Sequence, residues 1–333
     1  MSTIERNNWT NWHHILHKSI INNPEFIPNG IKLLIAVSGG QDSMALLSLF
    51  DDIKHTHNWE ICVWHGDHQW HSKSSLYAEG LKTFCTHKKI TFYSDKADYI
   101  DVSTEEKARN WRYQRLDDAA KYLVGSNKQK DNIYILTGHT SSDNAETFLL
   151  NLARGSNYKG LTGIPNKRLT DNNFYIVRPI LHFSRADTLK ICEKLKTPIW
   201  IDPTNSDLNL KRNIIRKKIL EELENIYPGC SSRINNFIKK MNQYERERSD
   251  LCSLALMACL ENNKVKRDEF NNLGLEARST LLNELFKQKF PKQIRSNNLD
   301  IISKEIFNKK HGAIDLPNGI QIVWNKNYID FKS

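Results

Sequence analysis

Six consecutive residues, Ser38-Gly39-Gly40-Gln41-Asp42-Ser43, have the types and order needed to hold a phosphate. Glycines accept backbone angles closed to other residues and let a ligand approach the main chain. If a helix begins here, its first N–H groups lack intrahelical partners and its dipole favours an anion. Asp42 or Ser43 is of the type that caps such a helix. The segment is not a Gly-x-x-x-x-Gly-Lys-Ser/Thr loop, because no lysine falls between Lys32 and Lys54. Nor is it Gly-x-Gly-x-x-Gly. A tight turn without a ligand would also use two glycines, but the Asp-Ser pair directly behind them makes the pattern more specific.

Further along, Asp143 and Glu146 are three apart on one helix face. Paired acids bind an ammonium or accept its proton; as first-turn acids they would only complement the helix dipole. Arg109 and Arg112 share a face as well and can grip a phosphate, or one of them pairs with Glu105. His139 can touch a nucleotide or base, or serve as a structural histidine. His65 and His68 invite a zinc reading, but no third ligand sits at motif spacing. The basic run Lys211–Lys218 is either an RNA contact or a solvated helix face.

These residues must be positioned by alternating elements. The apolar run Ile31–Val37 reads as a strand buried on both faces. A helix follows over 43–56, then a strand over 60–64 ending in His65-Gly66-Asp67-His68. A helix over 74–86 and a strand over 90–93 come next. Thr104 is placed to cap a helix that carries Arg109 and Arg112. A strand over 131–136 leads to Thr137-Gly138-His139 and a helix over 142–153. Strands alternating with helices predict an α/β fold with a doubly wound, mainly parallel sheet, whose ligands bind beyond the strands' carboxyl ends. Past Arg178 the pattern loosens into helices and a tail of three short strands, a smaller helical or α+β part. The expected division is a catalytic domain over 1–215, a linker helix over 216–232 and a C-terminal domain over 233–333.

The chain has 333 residues, room for two or three domains. Its net charge of +10 calls for an acidic partner, most simply nucleic acid, with a generic basic surface as the plainer reading. Six scattered cysteines form no Cys-x-x-Cys pair, which fits a reducing compartment and excludes a disulfide scaffold. No 18-residue apolar run exists, so no membrane partner is expected. The N-terminal segment has neither an apolar h-region nor an arginine-rich pattern, so it reads as neither signal nor transit peptide. The wealth of Asn, Lys and Ile looks like an AT-rich genome, placing the protein in a plastid stroma or a bacterial cytoplasm. Oligomeric state stays open.

Several blocks together resemble the tRNA(Ile)-lysidine synthetases, a family of ATP pyrophosphatases with an adenine nucleotide α-hydrolase-like fold. Ser38–Ser43 is similar to their pyrophosphate loop. Asp67-His68 resembles their Asn-His, with aspartate in place of asparagine. Glu105, Arg109, Arg112 and Tyr113 fit Glu-x-x-x-Arg-x-x-Arg-Tyr. Thr137–Thr147 follows Thr-Gly-His-x-x-x-Asp-x-x-Glu-Thr. Arg154-Gly155-Ser156, Arg178-Pro179, Asp202-Pro203-Thr204-Asn205 and Arg212-Asn213-Ile214-Ile215-Arg216 complete the series.

The resemblance covers about residues 31–220 and implies a ligase. It would join L-lysine to cytidine 34 in the CAU anticodon of tRNA(Ile), with ATP cut to AMP and diphosphate. It implies nucleotide contacts at Ser38, Gly39, Gly40, Gln41, Asp42, Ser43, His68, Gly138 and His139. Catalytic roles fall to Asp42, Arg109, Arg112, Asp143 and Glu146, with Mg²⁺ on Asp42 and Asp143. Arg154, Arg178, Arg212 and Arg216 would touch tRNA. Two other readings compete. A tRNA thiolase of the same loop class would normally need paired cysteines, and a non-catalytic RNA-binding protein would tolerate a degenerate loop.

Overall fold

The computed structural model describes residues 9–124, 133–201, 203, 211–289, 296–316 and 319–332. Of the blocks quoted above, Asp202, Thr204 and Asn205 lie outside the described residues. The chain divides into two compact units between Lys239 and Lys240.

The first unit opens with α1 (Asn11–Ile21), β1 (Lys32–Ala36), α2 (Gln41–His57), β2 (Glu60–Asp67), α3 (Ser74–His87) and β3 (Thr91–Lys96). It continues through α4 (Glu105–Val124), β4 (Ile133–Thr137), α5 (Ser141–Ala153), β5 (Lys167–Leu169), β6 (Tyr175–Val177) and α6 (Arg185–Lys194). The six-stranded sheet runs β3-β2-β1-β4-β6-β5. All pairs are parallel except β5 against β6. Side chains of β1 alternate between two cores, as the period of two requires. Leu33 and Ile35 pack with Met44, Leu47 and Phe50 of α2, while Leu34 packs with Trp64, Trp111 and Ile176 on the opposite face. Helices on both faces explain why this strand is apolar from Leu33 onward.

Three local expectations change. β2 runs on to Asp67, which pairs with Lys96, so His65, Gly66 and Asp67 belong to the strand rather than to a loop after it. The β5–β6 hairpin precedes the point where the pattern was expected to loosen. The 216–232 segment, expected as a linker helix, packs within the first unit. It follows α7 (Lys211–Ile214) and holds most of a π-helical turn over Ile215–Leu220, then α8 (Glu221–Ile226) and the start of α9 (Cys230–Cys259), with Ile215 and Leu220 buried. The division into units falls instead inside α9.

The second unit contains the rest of α9, β7 (Leu260–Glu261), β8 (Lys264–Lys266), α10 (Arg267–Asn271), α11 (Leu275–Lys289), α12 (Ser296–Asn308), β9 (Gly312–Asp315), β10 (Gln321–Trp324) and β11 (Tyr328–Lys332). The strands form a sheet in the order β7-β8-β11-β10-β9, antiparallel throughout. The β7–β8 hairpin turns on Asn262 and Asn263, both at positive φ, the geometry of a tight two-residue hairpin loop. Buried Arg267 donates to the carbonyls of Ile306 and Lys309 at the end of α12, satisfying acceptors that the helix leaves open. Among the described residues no helix is long and apolar enough to cross a membrane.

Gly66 shows how tightly the end of β2 is packed. A Cβ built there would lie 2.6 Å from the Trp64 ring and 2.8 Å from that of Trp111. Gly66→Ala is therefore expected to cost about 1–3 kcal/mol through overpacking. A lower urea midpoint at unchanged slope would register it.

Candidate active site

The loop after β1 is braced from within. Gly39 sits at φ +89°, a conformation that favours glycine. Gly40, not Asp42 or Ser43, is the N-cap of α2, so both of those residues lie inside its first turn. The Ser43 hydroxyl donates to the Gly40 carbonyl at 2.9 Å and accepts the Ser38 N–H at 3.2 Å. Trp200 walls the loop: its N–H donates to the Gly39 carbonyl at 3.0 Å, and a Cβ on Gly39 would come within 3.4 Å of its ring.

Helix α6 holds the loop from the other side. The Gln41 amide donates to the Arg185 carbonyl and to the Thr188 hydroxyl. The expected nucleotide contact of Gln41 is thus left to its backbone N–H, because its side chain is committed to α6. Thr188 also donates to Asp42, and Arg185 lies 3.6 Å from the other Asp42 oxygen. Burial raises the Asp42 pKa; Arg185 and Thr188 oppose this, and the charge of Asp143 adds to it.

The end of β4 packs on the loop's backbone. A Cβ at Gly138 would lie 3.0 Å from main-chain atoms of Asp42 and Ser43, so a side chain there would push the two segments apart. Next to it, His139 shares a hydrogen bond with Thr137. Burial, reinforced by Arg178, Arg212 and Arg112 against the pull of Asp143, lowers its pKa to about 3.

Thr140 caps α5. Asp143 answers it, accepting from the Thr140 N–H and hydroxyl at 2.8 and 2.9 Å. Its other oxygen meets Arg212 at 3.0 Å and Arg216 at 3.4 Å. Glu146, only 1% exposed, accepts from Arg212 Nε at 2.9 Å and Arg216 Nε at 2.6 Å. Two acids and two arginines thus close into a quartet. The guanidiniums expected to face RNA are turned inward, because a buried carboxylate without a partner would be strongly destabilising. A cavity of about 410 Å³ adjoins the quartet, lined among others by Ser142, Glu146, Arg185, Arg216, Glu221 and Glu224.

On α4, Arg112 lies 3.2 Å from His68 Nε2, and Arg109 stands over the Tyr113 ring. Neither forms an ion pair with Glu105 among the described residues. His68 packs edge-on against Trp70 and Trp111. Burial and the Arg112 charge lower its pKa to about 4. Arg178 is buried and donates to the Pro165 carbonyl at 2.6 Å. Arg154 stands apart. It is exposed at the far end of α5, eleven residues from Asp143 and so roughly 16 Å along the helix. Arg185, Thr188, Trp200 and Arg168 of β5 were missed by sequence reasoning, since only the fold brings them to the loop and to Tyr113. A groove lined by Trp9–Trp12 with Lys190, Glu193 and Lys194 holds none of these groups.

Among the described residues no cluster of three or more histidine, cysteine or acidic side chains could hold a metal ion. For Mg²⁺ this is no obstacle, since that ion commonly takes one or two carboxylates and completes its shell with water and phosphate. Asp42 fits such a part. The Asp143 charge disfavours its ionised form, an effect a cation would relieve. Asp143 fits less well, because its oxygens are already engaged by Thr140, Arg212 and Arg216.

A parallel sheet with an anion-binding loop beyond its first strand defines a nucleotide-binding class, and comparison with known proteins agrees. A family model described as a PP-loop domain matches residues 13–223. The structure of the U34-tRNA thiolase NcsA from Methanococcus maripaludis aligns with a TM-score of 0.54 at 16% identity, covering 69% of this chain and 76% of that one; the likeness is one of fold. A tRNA(Ile)-lysidine synthase of Prochlorococcus marinus subsp. pastoris is 54% identical over 325 residues, 98% of this chain and 97% of its own length. The chloroplastic tRNA(Ile)-lysidine synthase of Gracilaria tenuistipitata var. liui is 31% identical over 305 residues, 90% of this chain and 92% of its own. The chain belongs to the tRNA(Ile)-lysidine synthase family.

The lowered histidine His68 gives a pH signature. In the unfolded chain a histidine takes up its proton near 6.5, but folded His68 does so only near 4. As pH falls through that window, the unfolded state binds protons that the fold refuses, so stability drops. His68→Asn should flatten the stability curve between pH 6.5 and 4, by at most about 1.4 kcal/mol per pH unit. Urea midpoints of both proteins across that range check this.

Proposed function

We propose that this chain joins L-lysine to C2 of cytidine 34 in the CAU anticodon of tRNA(Ile), forming lysidine and releasing AMP and diphosphate from ATP. The observation that carries the reading is the placement of the pyrophosphate loop beside the Asp143–Glu146 pair at one end of the sheet. Asp42 of that loop lies near enough to Asp143 for the Asp143 charge to raise its pKa, and on this reading the loop takes the anion and the acids take the ammonium. Family membership supports the substrates.

In the first step the cytosine O2 attacks the α-phosphorus, and the bond to the β-phosphate breaks. Charge grows on the departing diphosphate, where the N–H groups of the loop and of the first turn of α2 are aimed. Arg185 beside Asp42 adds a cation. Mg²⁺ on Asp42, with Asp143 as the weaker second donor, would neutralise phosphate charge. In the second step the lysine ε-amine attacks C2, and AMP leaves with the O2. The amine must first lose its proton, and we assign that to Glu146, which lines the adjoining cavity, with Asp143 beside it on α5. An arriving ammonium takes the place of a guanidinium, so Arg212 or Arg216 turns outward as lysine enters. Neutral His139 offers a hydrogen bond to base or nucleotide without adding charge. Relatives of bacterial and chloroplastic origin are compatible with a bacterial cytoplasm or a plastid stroma.

The products test this order of events. ATP and tRNA without lysine should give adenylated tRNA and free diphosphate, and ATP with lysine alone should give nothing. Adding lysine to the adenylated tRNA should release AMP and raise the tRNA mass by lysine less water. Cytidine 34→uridine should abolish product. Lysyl-adenylate formed without tRNA, or ADP as the main nucleotide product, would overturn the mechanism.

Asp42→Ala and Ser43→Ala should each lower the adenylation rate at least about tenfold, the scale of one lost transition-state contact. Unchanged circular dichroism would show that the fold survives. Near-wild-type adenylation by either variant would remove that residue from the site.

A further inference from the structure

The quartet accounts for Arg212 and Arg216, yet a second group of arginines lacks any such partner. In the β5–β6 hairpin, Arg168 pairs across from Ile176. Ile176 and Arg178 are two apart along the chain, so all three residues share one face of the sheet. Ile176 is buried in the core beneath α4. The same face therefore presents Arg168 and Arg178 to α4, one turn of which carries Arg109 and Tyr113. The Arg168 guanidinium lies 4.6 Å from the Tyr113 ring centroid and that of Arg109 lies 5.1 Å away. The hairpin is tied to α4 by the Asn172 amide, which donates to Asp117 at 2.7 Å.

The charges in this group are unbalanced. Among the described residues no carboxylate lies within ion-pair distance of Arg109, Arg168 or Arg178. Arg178 is 2% exposed, and its Nε has no hydrogen-bond partner. A buried donor left open is costly and uncommon in a native structure, and it calls for a partner that the chain itself does not supply. Burial pushes the Tyr113 phenol up, but Arg109, Arg178 and Arg168 outweigh it and draw its pKa below the usual value. From buried Arg178 through half-buried Tyr113 and Arg168 to exposed Arg109, the group rises from floor to rim.

We infer that Arg109, Arg168 and Arg178, gathered around Tyr113, form a seat for one phosphodiester of the RNA strand, separate from the loop that takes the nucleotide's diphosphate. Planar guanidiniums present paired N–H groups that match phosphate oxygens, and the Tyr113 hydroxyl adds a donor. The seat stands at the end of β6, two strands from β1 and so roughly 10 Å from the loop across the sheet. That spacing suits a neighbouring link of a polynucleotide whose reacting base lies between the two. The inference rests on the RNA-modifying reading and assigns Arg168 and Tyr113 a part in it.

Binding measured apart from turnover tests it. Full-length protein and Arg168→Ala would be titrated with unmodified tRNA at several salt concentrations, and with a non-hydrolysable ATP analogue. Arg168→Ala should weaken tRNA binding roughly tenfold and reduce the log–log salt slope by about one, while leaving analogue affinity within about twofold. Arg168→Lys should keep the slope and lose only part of the affinity, since it retains the charge without the fork. A scan of single methylphosphonate links through the anticodon loop should find one position where neutralisation weakens the wild type but not Arg168→Ala. Wild-type slope and affinity in Arg168→Ala would overturn the proposal, as would losses additive with every methylphosphonate. A loss confined to the ATP analogue would also overturn it, assigning the seat to the nucleotide. If the wild type bound tRNA but formed no AMP with lysine, the functional reading would fail while these binding outcomes still decided the seat.

Discussion

The buried carboxylate of Glu146 constrains the site more than any other group. At 1% exposure it has almost no water to share its charge. Isolated in that setting it would either take up a proton or destabilise the fold by several kcal/mol. It remains compatible with folding because Arg212 and Arg216 both reach it, and both also reach Asp143. This demand ties the segment after α6 to the first two turns of α5, although sixty-six residues separate Arg212 from Glu146. Arg212 and Arg216 converge where the backbone widens into a π-helical turn beginning at Ile215, a form often found at functional sites.

The loop depends on a similar mutual support. Its own hydrogen bonds join Ser38, Gly40 and Ser43, but its place relative to the sheet is set by three outside contacts. Gly138 brings the end of β4 against its main chain, Trp200 closes its outer side, and α6 engages Gln41 and Asp42. An anion-binding turn works only if its N–H groups keep their direction when the ligand arrives, since reorganisation would consume the binding gain. Fixing it from three elements meets that need without any lysine inside the loop. The same contacts explain why Asp42 sits close enough to Asp143 for each to feel the other's charge.

Local physics made part of this visible in the amino-acid order. β1 could be read because a strand covered on both faces must be apolar at every position, and Leu33, Leu34 and Ile35 obey that rule. The loop could be read because consecutive glycines before a helix have few other uses. The β5–β6 hairpin could not: its strands are three residues long and one of them is Lys-Arg-Leu, which carries no alternating pattern. Side-chain direction was equally hidden. Gln41 and Arg212 have types suited to ligands, yet partners far along the chain turn both away from solvent. Arg154 belongs to a recognisable block but lies at the opposite end of α5 from the acids, since block membership says nothing about which end of a helix a residue occupies.

The distribution of charge at the carboxyl end of the sheet follows from these placements. Arg212 and Arg216 are neutralised by the acids they hold, so they add little to the field felt by a passing anion. Arg109, Arg168 and Arg178 have no such neutralisation, and a low-dielectric floor beneath Arg178 strengthens what they project outward. The loop contributes dipoles rather than a full charge. On the proposed reading a polyanion is drawn to the α4–hairpin seam by full charges, while the loop offers N–H dipoles. A triphosphate, which needs many closely spaced N–H donors, is better served by the loop. On the proposed reading, two anions of different shape are in this way sorted to different places by the form of positive charge each place offers.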